Sequence, residues 1–218
     1  MTHRPDDPDR KAGMAAGILE AEGLACRRGG RLLLEAVDWR LEPGDALLLK
    51  GANGSGKSSL LRLVAGLLRP GAGRLAHAGQ DVFADLPHWR TLLHLVGYQD
   101  GLKPSLTVAE NLAAMTALLG GRVDRLDAAL DRFGLVDLAG TPARFLSSGQ
   151  RRRTGLARLV AAPRPIWLLD EPGTGLDVRN RGRLEALIGE HRAAGGIVVA
   201  ASHGDVALAD PHVLDLGD

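Results

Sequence analysis

The stretch Ala46-Leu47-Leu48-Leu49-Lys50-Gly51-Ala52-Asn53-Gly54-Ser55-Gly56-Lys57-Ser58-Ser59-Leu60-Leu61 decides the fold. Ala46 to Leu49 is continuously apolar, as expected of a strand covered on both faces inside a parallel sheet. Beyond the glycines, Leu60, Leu61, Val64, Leu67 and Leu68 recur at helical spacing. The order is strand, glycine loop, helix. Gly51, Gly56, Lys57 and Ser58 fill the pattern G-x-x-x-x-G-K-[ST], whose glycines let successive backbone N–H groups turn inward around β- and γ-phosphates at a helix N-terminus. In that arrangement Lys57 brings a point charge to the phosphates and Ser58 a hydroxyl to Mg²⁺. The motif could arise by chance, but the strand before it and the helix after it are the context that chance would not supply. Only Lys11, Lys50, Lys57 and Lys103 interrupt the use of arginine as the basic residue, so a lysine placed against phosphates stands out.

Upstream of this unit, Ile18 to Cys26 reads as a strand, and Val37, Trp39 and Leu41 alternate with Asp38 and Arg40 as in a half-buried edge or antiparallel strand. The polar stretch Met1 to Gly13 is expected to be a disordered tail and lacks the apolar core of a secretory signal. Downstream, Val108–Leu119, Arg122–Phe133 and a segment from Gln150 to Ala162 carry helical patterns and read as an inserted helical region. Sheet character returns at Ile166–Leu169, Ile197–Ala201 and His212–Leu216, with a helix over roughly Val178–Ala194. Strands alternating with helices indicate a parallel sheet with helical crossovers.

Chemistry-bearing residues gather at predicted strand ends. Ile166-Trp167-Leu168-Leu169 runs into Asp170 and Glu171, and the C-terminal edge of an open α/β sheet is where ligands bind. Beside a phosphate loop, Asp170 is expected to hold the Mg²⁺ shell and Glu171 to polarise an attacking water. A strand ending in a solvated Asp-Glu-Pro turn is the bland alternative. His203 follows the strand Ile197–Ala201, and Gln99 follows Leu95-Val96-Gly97-Tyr98, where a neutral amide can reach Mg²⁺ or water. The other histidines, His3, His77, His88, His94, His191 and His212, are expected at the surface. Leu146-Ser147-Ser148-Gly149-Gln150 opens a helix with hydroxyl and N–H donors, a second anion-facing turn in a chain that already has one.

Composition narrows the field further. The 218 residues suit one large α/β domain, and 45% hydrophobic with 24% charged residues is a globular mixture. A formal charge of +1 gives no bulk field for nucleic acid, so no nucleic-acid partner is expected. The single cysteine, Cys26, excludes an intramolecular disulfide and suits a reducing compartment. The longest apolar or glycine run, Ala193 to Ala201, is far short of the roughly 20 residues of a membrane span.

With the phosphate loop, Gln99, Leu146–Gln150, Asp170-Glu171, Gly175-Leu176-Asp177 and Ser202-His203 in this order, the chain resembles the ATP-binding subunits of ABC transporters from Ile18 to its end. The resemblance implies a P-loop NTPase fold of the ABC ATPase type. That fold has a RecA-like parallel-sheet core, an antiparallel β edge and a helical subdomain inserted at about 101–160. It would form one ATP-binding domain over 16–218 after a tail at 1–15. It implies that Gly51, Asn53, Gly54, Ser55, Gly56, Lys57, Ser58 and Ser59 bind the phosphates and that Ser147, Ser148, Gly149 and Gln150 form the signature. By the same likeness Asp177 lies in the D-loop, Glu171, His203 and Gln99 are catalytic, and Ser58, Gln99 and Asp170 hold Mg²⁺. Ser148 departs from the family's usual glycine. In that family ATP is sandwiched between the phosphate loop of one subunit and the signature of the other, which implies a homodimer, integral-membrane permease partners, and a peripheral place on the cytoplasmic face of the membrane.

Gly101-Leu102-Lys103-Pro104-Ser105-Leu106-Thr107, Glu110-Asn111-Leu112 and Leu24-Ala25-Cys26-Arg27 are similar to the haem-exporter ATPases of cytochrome c maturation. The alternatives are the ATPase of another small exporter, for drugs, lipids or metals, and a soluble ABC ATPase outside transport. ABC ATPases usually stack adenine on an aromatic residue about 25 positions before the phosphate loop. This chain has no Tyr, Phe or Trp between Met1 and Leu34 and reads Cys26-Arg27-Arg28 there. Phosphate contacts are therefore expected to dominate binding, with GTP used nearly as well as ATP and with tighter binding on changing Cys26 or Arg27 to Tyr.

Overall fold

In the computed structural model, residues 16–28, 31–97, 100–202 and 204–217 are described. Strands β1 (Leu19–Arg28) and β2 (Arg31–Leu41) pair antiparallel, and β4 (Ala72–His77) and β5 (Gln80–Asp81) extend that sheet in the order β2-β1-β4-β5. The second sheet is parallel, in the order β6-β7-β8-β3-β9, built from β3 (Ala46–Lys50), β6 (Leu93–Val96), β7 (Ile166–Asp170), β8 (Ile197–Ala201) and β9 (His212–Asp215).

Burial on both faces explains the unbroken apolar runs of the parallel strands. One face sends Leu47, Leu49, Ile166, Leu168, Ile197 and Val199 into a core shared with the antiparallel sheet and with helix α1 (Lys57–Val64). The other face sends Trp167, Leu169, Val198 and Ala200 into a second core. That core is closed by α3 (Val108–Leu118), α4 (Leu126–Arg132), α5 (Ser148–Ala161) and α6 (Val178–Ala193).

Several boundaries differ from the sequence expectation for local reasons. Helix α1 stops at Val64 because Gly66 adopts φ +68, while its N–H bonds the Leu63 carbonyl and the Leu67 N–H the Arg62 carbonyl. This is a Schellman stop. Leu67 is consequently 54% exposed and does not continue the buried stripe. Residues 72–91, including the β4–β5 hairpin and α2 (Leu86–Thr91), carried no clear pattern, since only Leu75 and Ala76 are buried in β4. The hairpin turn is Ala78-Gly79, both at positive φ, in place of the usual Asn-Gly signal. Trp89 of α2 then donates from Nε1 to the Val64 carbonyl at 2.8 Å, closing the end of α1.

Two of the histidines expected at the surface are core residues. His94 bonds the Ala162 carbonyl through Nε2 at 2.6 Å, and burial pushes its pKa down to about 3. His191 stacks on Trp167 with centroids 3.8 Å apart, and burial pushes it down to about 4. Both are neutral at pH 7. Among the described residues, strand β6 is a sheet edge whose outer carbonyls find no strand partner. Arginines take their place: Arg164 donates to Leu93 at 2.7 Å, Arg158 to Leu95 at 2.7 Å and Arg152 to Gly97 at 2.7 Å. Covering these carbonyls blunts the edge as a template for pairing with another chain.

Candidate active site

The parallel strands deliver the site residues to one edge of the sheet. The glycine loop leaves the end of β3, and Asp170 ends β7, with β8 between them in the sheet. Gly51, Gly54 and Gly56 sit at φ +136, +91 and +104, conformations closed to most side chains. A Cβ on Gly51 would also lie 2.5 Å from Ser55 Oγ. Gly56 is the N-cap of α1 and no side chain caps that helix, so its first-turn N–H groups are available to an anion. Lys57 is buried, and its Nζ donates to the carbonyls of Gly51 at 2.7 Å and Ala52 at 2.8 Å. Ser55 Oγ is buried with no hydrogen-bond partner among the described residues, a polar atom left over inside the loop.

A cavity of about 160 Å³ is lined by Asn53, Gly54, Gly56, Lys57, Ser58, Ser59 and Glu171. It brings a carboxylate to the phosphate loop across 114 residues of chain, counted from Lys57 to Glu171. Glu171 is held there by an unusual backbone. Its φ is +46, a left-handed conformation that costs a non-glycine residue about 1–3 kcal/mol and persists only where the surroundings enforce it. Its N–H donates to the Ala201 carbonyl at 2.8 Å, and Thr174 Oγ1 lies 3.4 Å from its Oε2.

The residues fit the two groups the sequence points to. The loop geometry, the uncapped helix start and the unpartnered Ser55 Oγ suit the oxygens of a polyphosphate. Ser58 and Asp170, both half-buried, offer the hydroxyl and carboxylate oxygens that Mg²⁺ takes. No three His, Cys, Asp or Glu cluster as a metal cage among the described residues. Mg²⁺ is usually held by one or two carboxylates together with substrate phosphates, so such a cage is not required.

The signature residues lie apart from this cavity. Ser147, not Gln150, begins the turn: it is the N-cap of α5, accepting from Gln150 N–H, while Gln150 Oε1 accepts from Ser147 N–H at 2.7 Å. Ser147 and Ser148 are exposed. Gly149 is needed for contact, because a Cβ there would lie 2.7 Å from the Gly175 carbonyl oxygen. Asp177 caps α6 by accepting from Asn180 N–H at 2.8 Å, and that bond is the main reason its carboxyl is held below the ordinary range. Within one chain, the signature therefore packs on the loop before Asp177 and not on the phosphate loop. Gln99 and His203 lie outside the described residues.

One participant escaped the sequence reading. Arg152 of α5, which the sequence places only within the helical segment from Gln150 to Ala162, is 4% exposed and donates to backbone carbonyls at the end of β7. Cys26 is also resolved against expectation. It is buried in the core of the antiparallel sheet, so a tyrosine there would overpack the core instead of offering a platform for a base. Trp39 packs partly buried against the same core.

A family model described as ABC transporter matches residues 34–174. The chain is 52% identical over 202 residues to the cytochrome c biogenesis ATP-binding export protein CcmA of Rhodospirillum rubrum, covering 93% of this chain and 87% of that one. It is 47% identical over 207 residues to the protein of the same name from Paramagnetospirillum magneticum, covering 93% and 95%. Among solved structures, cbiO1 from Clostridium perfringens, part of the ABC transporter complex cbiONQ, superposes with a TM-score of 0.72 at 25% identity, over 86% of this chain and 79% of that one.

Proposed function

The chain belongs to the ABC transporter family as an ATP-binding subunit, and we propose that it hydrolyses Mg·ATP to drive haem export or handover in cytochrome c biogenesis. The observation that carries the chemistry is the single cavity in which Lys57, Ser58 and Glu171 meet. The likeness to the export proteins of cytochrome c biogenesis supports the pathway.

The residues divide the work as follows. Backbone N–H groups of the loop and the start of α1 bind the β- and γ-phosphates, and Lys57 Nζ adds a fixed charge at the cavity wall. Ser58 and Asp170 would hold Mg²⁺, which when bound would neutralise charge on the phosphates. Glu171 orients a water for in-line attack on the γ-phosphorus and takes its proton, giving ADP and phosphate. Little covalent chemistry is asked of the protein, so positioning carries the rate. Ser147, Ser148, Gly149 and Gln150 act on the nucleotide held by a second copy, since in their own chain they do not line the cavity. Asp177 fixes the start of α6 beside that turn, and the family resemblance gives Gln99 and His203 their catalytic roles.

No helix of the described residues is long and apolar enough to cross a membrane. Coupling to export then requires integral-membrane permease subunits, with this chain docked on their cytoplasmic side. The test is a deletion strain scored for covalently bound c-type haem and complemented with wild-type or Glu171→Gln chain. Loss of holocytochromes restored only by the wild type is expected; normal cytochromes in the deletion strain would rule out the assignment.

A further inference from the structure

Resting on the reading of Glu171 as the water-orienting base, we infer that Arg152 is its positioning residue, tying the signature helix to the strand end that carries the carboxylate. Arg152 is 4% exposed, and an arginine so buried must have its donors satisfied. All five bonds are present. Nη2 donates to the carbonyls of Asp170 at 3.1 Å and Glu171 at 2.8 Å, and Nε to that of Pro172 at 3.2 Å. Nη1 donates to the Gly97 carbonyl at 2.7 Å and to Asp100 Oδ1 at 3.4 Å. One planar guanidinium thus gathers three consecutive carbonyls around the catalytic carboxylate and both sides of the segment between Gly97 and Asp100.

The left-handed backbone of Glu171 shows what this grip does. Its N–H is fixed by Ala201 and its carbonyl by Arg152, so the peptide on each side of Cα is held and the residue cannot relax toward an ordinary strand conformation. The side chain is thereby kept at the cavity. Arg152 lies five residues beyond Ser147 on the helix whose start is the signature, so a displacement of that helix is felt at Glu171. Gly155, one turn along, lets the helix come close, because a Cβ there would lie 3.2 Å from Asp100 Cβ. Arg158 and Arg164 belong to the same ladder on β6 but donate to Leu95 and to Arg90, Leu93 and Leu119, with no reach to residues 170–172. That makes Arg158 a control on the same helix, half-buried and structural without touching the carboxylate's backbone.

The experiment measures kcat and KM for ATP with the full-length chain. Rates are expressed per nucleotide-binding site titrated with a fluorescent ATP analogue, so that misfolded protein does not count. Arg152→Lys keeps the charge and loses the fork, and is expected to lower kcat by about 10- to 100-fold with KM within about threefold, the signature of a misplaced group and not of lost binding. Arg152→Gln, which removes the buried charge and most donors, is expected to lower kcat at least as far. Arg158→Lys is expected to lower the melting temperature while leaving kcat within about twofold. Wild-type kcat in both Arg152 variants, or an equal loss in Arg158→Lys, would overturn the assignment. Glu171→Gln is run alongside: if it turns over ATP normally, the reading of Glu171 fails, whereas an inactive Glu171→Gln beside fully active Arg152 variants sinks the positioning role alone.

Discussion

The chain presents two serine- and glycine-rich turns, each opening a helix, and they treat their backbone donors in opposite ways. At the phosphate loop, Gly56 caps α1 with no side chain and Lys57 stands at the cavity wall, so the donors are left for a ligand. At the signature, Ser147 and Gln150 cap each other and Gly149 is spent on a close approach to Gly175. A turn whose donors are open can bind a polyphosphate within its own chain. A self-capped turn has only its exposed hydroxyls and outward face to offer, which suits a ligand already held by another copy.

The largest effects should fall on the first turn and its carboxylate. Glu171→Gln preserves shape and removes the proton acceptor, so hydrolysis is expected to drop by on the order of 10² or more while nucleotide affinity stays within a few-fold. Lys57→Ala should differ in kind. Losing a charge-assisted bond of about 1.5–3 kcal/mol weakens ATP binding itself by roughly 10- to 150-fold, read by equilibrium titration. Equal effects of the two substitutions on binding would erase the distinction between the loop and the carboxylate.

The signature turn should respond more weakly and through geometry. Gly149→Ala places a Cβ 2.7 Å from a backbone oxygen, and overpacking of this kind costs about 1–3 kcal/mol. Melting temperature should fall and hydrolysis with it, by about fivefold or more for each kcal/mol that reaches the transition state, while binding to the isolated chain stays unchanged. A loss of binding in that variant would mean that the signature acts in its own chain. The smallest effect belongs to Ser148→Gly, which restores the family's usual residue at an exposed position; hydrolysis within about twofold of wild type and a stability cost of about 0.5–1 kcal/mol are expected.

The nucleotide base offers a further contrast, because the loop proposed to grip the phosphates has no counterpart for the base, which finds no aromatic platform in the sequence before Leu34. Stacking is worth roughly 1–3 kcal/mol, and without it GTP should be hydrolysed within about tenfold of ATP. Selectivity above a hundredfold, abolished by Trp39→Ala, would assign the platform to Trp39 instead.

These two regions also show what a sequence can and cannot disclose. The strand, loop and helix around Lys57 were legible because every requirement is local: a run of apolar residues, glycines at fixed offsets, a leucine stripe. The signature, Asp170 and Glu171 were legible as motifs. The β4–β5 hairpin was not, because β4 buries only two side chains and its turn uses Ala78 at φ +49 where asparagine would have signalled it. His191 gave no hint of burial, since what buries it is the ring of Trp167, 24 positions away in the sequence. Arg152 was hidden for a similar reason: four of its five acceptors are backbone carbonyls 18 to 55 positions distant, and a carbonyl leaves no mark in a sequence.

The central claim is that one chain holds the phosphates while another supplies the signature. Size-exclusion chromatography of Glu171→Gln with multi-angle scattering tests it most directly. With saturating Mg·ATP the chain should run at twice its monomer mass and return to monomer with ADP, and adding Ser147→Arg to the same chain should abolish the dimer without abolishing ATP binding. A Glu171→Gln chain that stays monomeric with ATP bound, or one that dimerises equally well with Ser147→Arg, would contradict it.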